Sequence, residues 1–154
     1  EALREVYAAH RAGDRNALAA AVARVREQLA DEEVPTPACY EHLLREVSPD
    51  GWRFAQDGAW FEDPTGARTD CSRHVANARI LAHLVARRVT DPGACSDVAE
   101  LAAVGWPGEK IVSRAAGNRV RVALSALRGL GLEPLVQRHG GGWRLDPDQL
   151  VIRA

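Results

Sequence analysis

Six turn-forming clusters divide the last two-thirds of the chain into short pieces. They are Ser48-Pro49-Asp50-Gly51, Gln56-Asp57-Gly58, Asp63-Pro64-Thr65-Gly66, Asp91-Pro92-Gly93, Gly105-Trp106-Pro107-Gly108 and His139-Gly140-Gly141-Gly142. Glycine reaches positive φ, proline presets φ and removes a donor, and aspartate closes local turns, so each cluster stops a helix or a strand. No large sheet and no long bundle fits between such stops. What fits is a small mixed domain.

The pieces have different periods. Trp52-Arg53-Phe54-Ala55 alternates, and Ala59-Trp60-Phe61-Glu62 returns from a hairpin signal. A third short strand is expected over residues 67–71. These strands carry half of the chain's Trp, Tyr and Phe residues, which predicts a small antiparallel sheet packed on the helices that follow. A helix over 74–88 places Ile80, Leu81, Leu84 and Val85 inward. Ser96 can cap a short helix with Asp97 and Glu100 in its first turn and Val98, Leu101 and Ala102 on its apolar side. A longer helix over 118–130 buries Val120, Leu124 and Leu127. The chain closes with a hairpin, Leu135-Val136-Gln137-Arg138 and Trp143-Arg144-Leu145, whose tip is basic and glycine-rich.

Upstream the pattern is helical. Leu3, Val6, Tyr7 and His10 share one face, Gly13-Asp14 interrupts, and Asp14 can cap a second helix over 17–31 with Leu18, Val22, Val25 and Leu29 inward. Pro35 and Pro37 stiffen a connection to a third helix over 37–47, with Tyr40, Leu43, Leu44 and Val47 apolar. The expected organisation is α+β: a helical extension at 1–48 and a second domain at 49–154.

Apolar residues make up 46% of the chain and charged residues 27%, enough to bury a core. Apolar runs fall far short of the roughly 20 residues that span a bilayer, so no membrane role is expected. Three cysteines, an odd number, suit a reducing cytoplasm better than a disulfide scaffold. The start at Glu1 and the absence of Met suggest a piece of a longer protein. Charge is unevenly spread. Residues 1–109 hold 12 Lys+Arg against 18 Asp+Glu, a net −6, and residues 110–154 hold 8 against 3, a net +5. A basic end on an acidic body suits a polyanion.

The order of three strands, helix, short helix, turn, helix and hairpin resembles the OmpR/PhoB-type winged helix-turn-helix domain of bacterial transcription regulators. Val120-Arg121-Val122-Ala123-Leu124-Ser125-Ala126-Leu127-Arg128 is similar to that family's recognition helix. Val136-Gln137-Arg138-His139-Gly140-Gly141-Gly142-Trp143-Arg144-Leu145 is similar to its wing. The resemblance covers about residues 50–150. It implies a regulatory DNA-binding module in which the helix at 118–130 enters the major groove and the wing at 136–145 meets the adjacent backbone or minor groove. The residues expected at double-stranded DNA are Arg114, Asn118, Arg119, Arg121, Val122, Ser125, Ala126, Arg128, Arg138 and His139. By resemblance, Val122 and Ala126 match base-touching positions, and Arg138 and His139 match the wing tip.

The chain also departs from the family pattern. The reading face carries little hydrogen-bonding chemistry at its centre, which points to weak specificity or to readout of DNA shape. The acidic residue usual early in the family's first helix is absent from Cys71 to Ile80. No receiver domain fits in residues 1–47, so phosphorylation control is not implied. The alternative function is a winged-helix module that docks a protein, with residues 1–48 as a partner or self-association surface.

Other chemistry is less well served. Cys39-x-x-His42 and Cys71-x-x-His74 could form a Cys₂His₂ zinc site on paper. Both pairs lie in well-patterned segments, so no metal is expected. Gly140-Gly141-Gly142 lacks the Lys-Ser/Thr of a phosphate loop, and the five histidines are scattered. Catalysis, a cofactor and a small-molecule substrate are not expected.

Overall fold

The computed structural model describes residues 2–14, 17, 18, 20–22, 24, 25 and 51–154. The chain divides into two compact units, Glu1–Gly51 and Trp52–Ala154. In the first, helix α1 spans Ala2–Ala12, and residues 17, 18, 20–22, 24 and 25 are helical. Val6 and Ala9 pack with Leu18, Ala21, Val22 and Val25 in a small separate core. Asp14 Oδ1 accepts the Ala17 N–H at 3.0 Å, the expected cap. Arg24 donates to Glu5 at 2.9 Å across the exposed side. The proposed helix at 37–47 and the pair Cys39 and His42 lie outside the described residues.

The second unit is α+β, with three helices and two small sheets. Its strands and helices run β1 (Trp52–Phe54), β2 (Trp60–Glu62), β3 (Arg68–Asp70), α2 (Val75–Thr90), α3 (Val98–Gly105), α4 (Ser113–Leu127), β4 (Val136–His139), β5 (Gly142–Leu145) and β6 (Val151–Arg153). Trp52 and Phe54 from β1 and Phe61 from β2 point to one face of the sheet. They join Leu81, Leu84 and Val85 of α2, Leu101 of α3 and Val120, Leu124 and Leu127 of α4 in one core. Period two on the strands and period 3.6 on the helices thus meet at a common apolar surface. Helix α3 packs on both α2 and α4. This arrangement is compatible with a winged-helix topology.

The structure corrects four expectations. The first sheet is mixed rather than purely antiparallel: its order is β3-β2-β1-β6, and β6 pairs parallel with β1, Trp52 opposite Val151. Val151-Ile152-Arg153 is too short for its own periodicity to announce a strand. Second, the long helix covers Ser113–Leu127 and not 118–130. Gly117 inside it costs about 1 kcal/mol of helix propensity. The burial of Ala116 and the packing of Ile111 on the core override that cost. At the other end the backbone opens into a wider turn, Arg128–Leu132, where Gly131 takes φ 119°. Third, Asp97 and not Ser96 caps α3: its carboxylate accepts the Glu100 N–H at 2.8 Å. Ser96 is instead fully buried and bridges to Trp143. Fourth, β4 begins at Val136, one residue later than expected.

Candidate nucleic-acid interface

Helix α4 has two unlike sides. Ala116, Val120, Ala123, Leu124 and Leu127 are buried, and the opposite stripe of Asn118, Val122 and Ser125 is exposed. At 3.6 residues per turn, Arg114 and Arg121 lie seven apart on one edge of that stripe. Arg119 and Ala126 flank the other. All of these side chains are exposed. Val112 precedes the helix without a side-chain cap bond, and the first helical bond runs from the Ala116 N–H to the Val112 carbonyl at 2.9 Å. The N–H groups of residues 113–115 therefore point from the helix start with no side chain to accept them. That end favours an anion, and no acidic residue occupies its first turn.

The arginines of this face differ in their freedom. Arg114, Arg121 and Arg138 make no ion pair or side-chain hydrogen bond among the described residues. Arg119 is held: its guanidinium donates to Glu109 at 2.6 Å and lies 5.6 Å from the centre of the Trp106 ring. Arg128 is half-buried and turned toward Glu133, 3.5 Å away. The ten residues named from sequence are thus not equivalent, and the clamp on Arg119 was invisible because Glu109 and Arg119 share no local repeat. Lys110, also exposed, adds a cation on the turn before α4.

The wing carries Arg138 and His139, both exposed, at a tight turn. Gly140 and Gly141 have φ of 55° and 79°, the two positive values that a two-residue hairpin turn demands and that side chains resist. His139 sits opposite Gly142, and Gln137 opposite Arg144. Arg144 donates to Gln137 Oε1 at 2.8 Å, so it stiffens the hairpin.

Two recesses lie on this unit. One of about 260 Å³ adjoins the exposed stripe of α4, walled by Asn77, Trp106, Asn118, Arg119, Val122 and Ala123. The other, about 390 Å³, is walled mainly by Val98, Ala102, Ile111 and Ala116 from the α3 and α4 region. Its lining includes one carboxylate, Glu109, and one hydroxyl, Ser113, a sparse set for orienting a metabolite.

A serine, a histidine and a glutamate do meet elsewhere. His83 Nε2 lies 3.0 Å from Ser96 Oγ and 3.2 Å from Glu100 Oε1. Both partners use the same ring nitrogen, whereas a relay needs one on each side. Arg87 also donates to Glu100, at 3.0 Å. The cluster ties α2 to α3. Cys71 is buried, and burial, with Asp70 beside it, pushes its thiol up to about 11, which disfavours the thiolate a metal would require.

Among the described residues no helix is long and apolar enough to cross a membrane. No protein family, curated protein or solved structure matches this chain.

Proposed function

We propose that residues 52–154 form a winged-helix DNA-binding module of a bacterial regulatory protein, related in plan to the OmpR/PhoB type. Helix α4 enters the major groove, and the β4–β5 hairpin meets the neighbouring backbone or minor groove. One observation carries this reading. The solvent face of α4 holds an amide and two arginines without ion-pair partners, while its other face is committed to the core. Arg114 and the open N–H groups at the helix start suit one phosphate, Arg121 suits another further along, and Arg138 serves the wing. The role is binding, with no covalent chemistry and no bound cofactor.

The test is a titration of the folded protein with random-sequence duplex DNA at several salt concentrations. Phosphate contact through these arginines predicts affinity that falls steeply as salt rises. A folded protein that ignores duplex DNA at low salt would assign the face to protein docking instead.

A further inference from the structure

The recess of about 390 Å³ exists because its walls are cut back. Ala99, Ala102 and Ala103 of α3 and Ala116 of α4 line it, and methyl side chains leave a gap that larger residues would close. Val98 and Ile111 complete the apolar wall and are only partly buried against the core. The volume falls within the roughly 300–1,000 Å³ of small-molecule sites. Glu109 supplies the one charge of the lining among the described residues. The same carboxylate accepts from Arg119 at 2.6 Å, and Arg119 lines the other recess, beside the exposed stripe of α4. One carboxylate thus serves both places.

We propose that this recess binds a small organic cation, an ammonium group on a compact apolar body, and that the bound cation draws Glu109 away from Arg119. The apolar body covers Val98 and Ile111, and the ammonium answers the Glu109 carboxylate. The Ser113 hydroxyl, also in the lining, accepts a second ammonium hydrogen. A neutral molecule of the same shape forgoes the ion pair, and an anion meets the carboxylate. Lys110 and Arg114, close in sequence, are exposed and stand outside the lining. Both side chains of the Glu109–Arg119 pair are about half exposed, so a competing cation can displace the contact. An exposed pair of this kind carries about a twofold to fivefold factor in affinity. The consequence for DNA rests on the DNA-binding reading: an Arg119 released by the ligand turns to phosphate. By linkage, duplex DNA tightens the cation by the same factor.

The experiment titrates the complete folded chain with benzylammonium, benzyl alcohol and benzoate, followed by the amide NMR signals of Ala99, Ile111 and Ser113. Benzylammonium should shift these signals saturably and bind about twofold to fivefold more tightly than the alcohol, with benzoate weakest. Glu109→Gln should erase the advantage of the cation. Arg119→Ala, which removes the competitor for Glu109, should strengthen the cation by a similar factor. Ala99 is exposed at the recess, so Ala99→Leu should fill the space, leave the fold intact and abolish binding. Equal binding of cation and alcohol, tighter binding of benzoate, absence of a saturable shift, or binding that survives Ala99→Leu each overturns the site. A second titration uses random-sequence duplex DNA with benzylammonium or with ammonium chloride at the same ionic strength. Benzylammonium should raise DNA affinity about twofold to fivefold, and Arg119→Ala should cancel the rise. DNA affinity that ignores a bound cation overturns the link between the two sites. Cation binding by a folded chain that ignores duplex DNA at low salt supports the recess and overturns the DNA-binding reading alone.

Discussion

Ser96 and Trp143 exchange both of their backbone hydrogen bonds, each 2.8 Å long. Ser96 immediately precedes the cap of α3, and Trp143 lies in the second strand of the wing. The hairpin is therefore fastened through its second strand, one residue pair from the tip, to the segment that leads into α3. An isolated two-stranded hairpin is marginal in water, and this bridge sets the wing's position against the helices. Ser96 Oγ in turn meets His83 on α2, which extends the anchor into the middle of the domain.

That anchor makes Gly142 intolerant of a side chain. A Cβ there would lie 2.6 Å from the Ser96 carbonyl oxygen and 3.1 Å from the Cys95 Cβ, and backbone is the obstacle. Gly142→Ala should cost about 1–3 kcal/mol of stability, read by urea denaturation, with faster amide exchange in both wing strands. An unchanged midpoint would mean that the wing does not pack on Ser96.

Arg88 is expected to be a structural residue despite its charge. It is 6% exposed, and its guanidinium donates to the carbonyls of Asp146 at 3.3 Å, Pro147 at 2.9 Å and Gln149 at 2.8 Å. Arg88→Met leaves these acceptors without their charged donor and should cost about 3 kcal/mol. Amide exchange at Val151–Arg153 should accelerate. Arg88→Lys should recover only part of the loss, because a point charge cannot span three carbonyls.

The arginines on the reading face should separate by partner. Arg121→Ala and Arg138→Ala should each weaken binding of random duplex DNA and lower the salt slope by about one. Arg119→Ala should do less, since that side chain already serves Glu109. Glu109→Gln should strengthen binding by freeing Arg119 and removing an anion. Equal effects of all three arginine changes would show that the Glu109 pair opens at no cost when DNA arrives.

Cys71 should resist alkylation in the folded protein. Its thiol is raised from 9.0 to about 11, so at pH 8 the folded state holds about a hundredfold less thiolate than an unperturbed cysteine. Because the folded pKa is the higher one, the native state favours the neutral thiol. This contribution is full below pH 9 and is lost as pH climbs toward 11. Iodoacetamide labelling followed by mass spectrometry should find Cys71 modified quickly only in denaturant.

Much of the second unit was readable along the chain. The turn clusters marked where elements stop, the alternation at 52–62 announced β1 and β2, and Val120, Leu124 and Leu127 marked the buried side of α4. The same 3.6-residue repeat puts Asn118, Val122, Ser125 and Gly129 opposite that buried side, and all four are exposed. Such features depend on residues within a turn or two of one another, so local order reports them. The first turn of α4 was not legible, because Gly117 weakens local helix propensity and the packing of Ile111 and Ala116 that extends the helix is not local.

Backbone partners distant in sequence were decided only in three dimensions. β6 joins β1 across almost the whole unit, and Trp52 Nε1 donates to Gln149 Oε1 at 2.7 Å over a separation of 97 residues. Neither partner carries a local sign of the other. The Ser96–Trp143 bridge, the burial of Arg88 and the capture of Arg119 by Glu109 belong to the same kind. A periodic pattern specifies which side of an element is apolar, and the packed core then selects which polar groups meet. For this chain the pattern set the two sides of α4, and tertiary packing left Arg114 and Arg121 without ion-pair partners while holding Arg119.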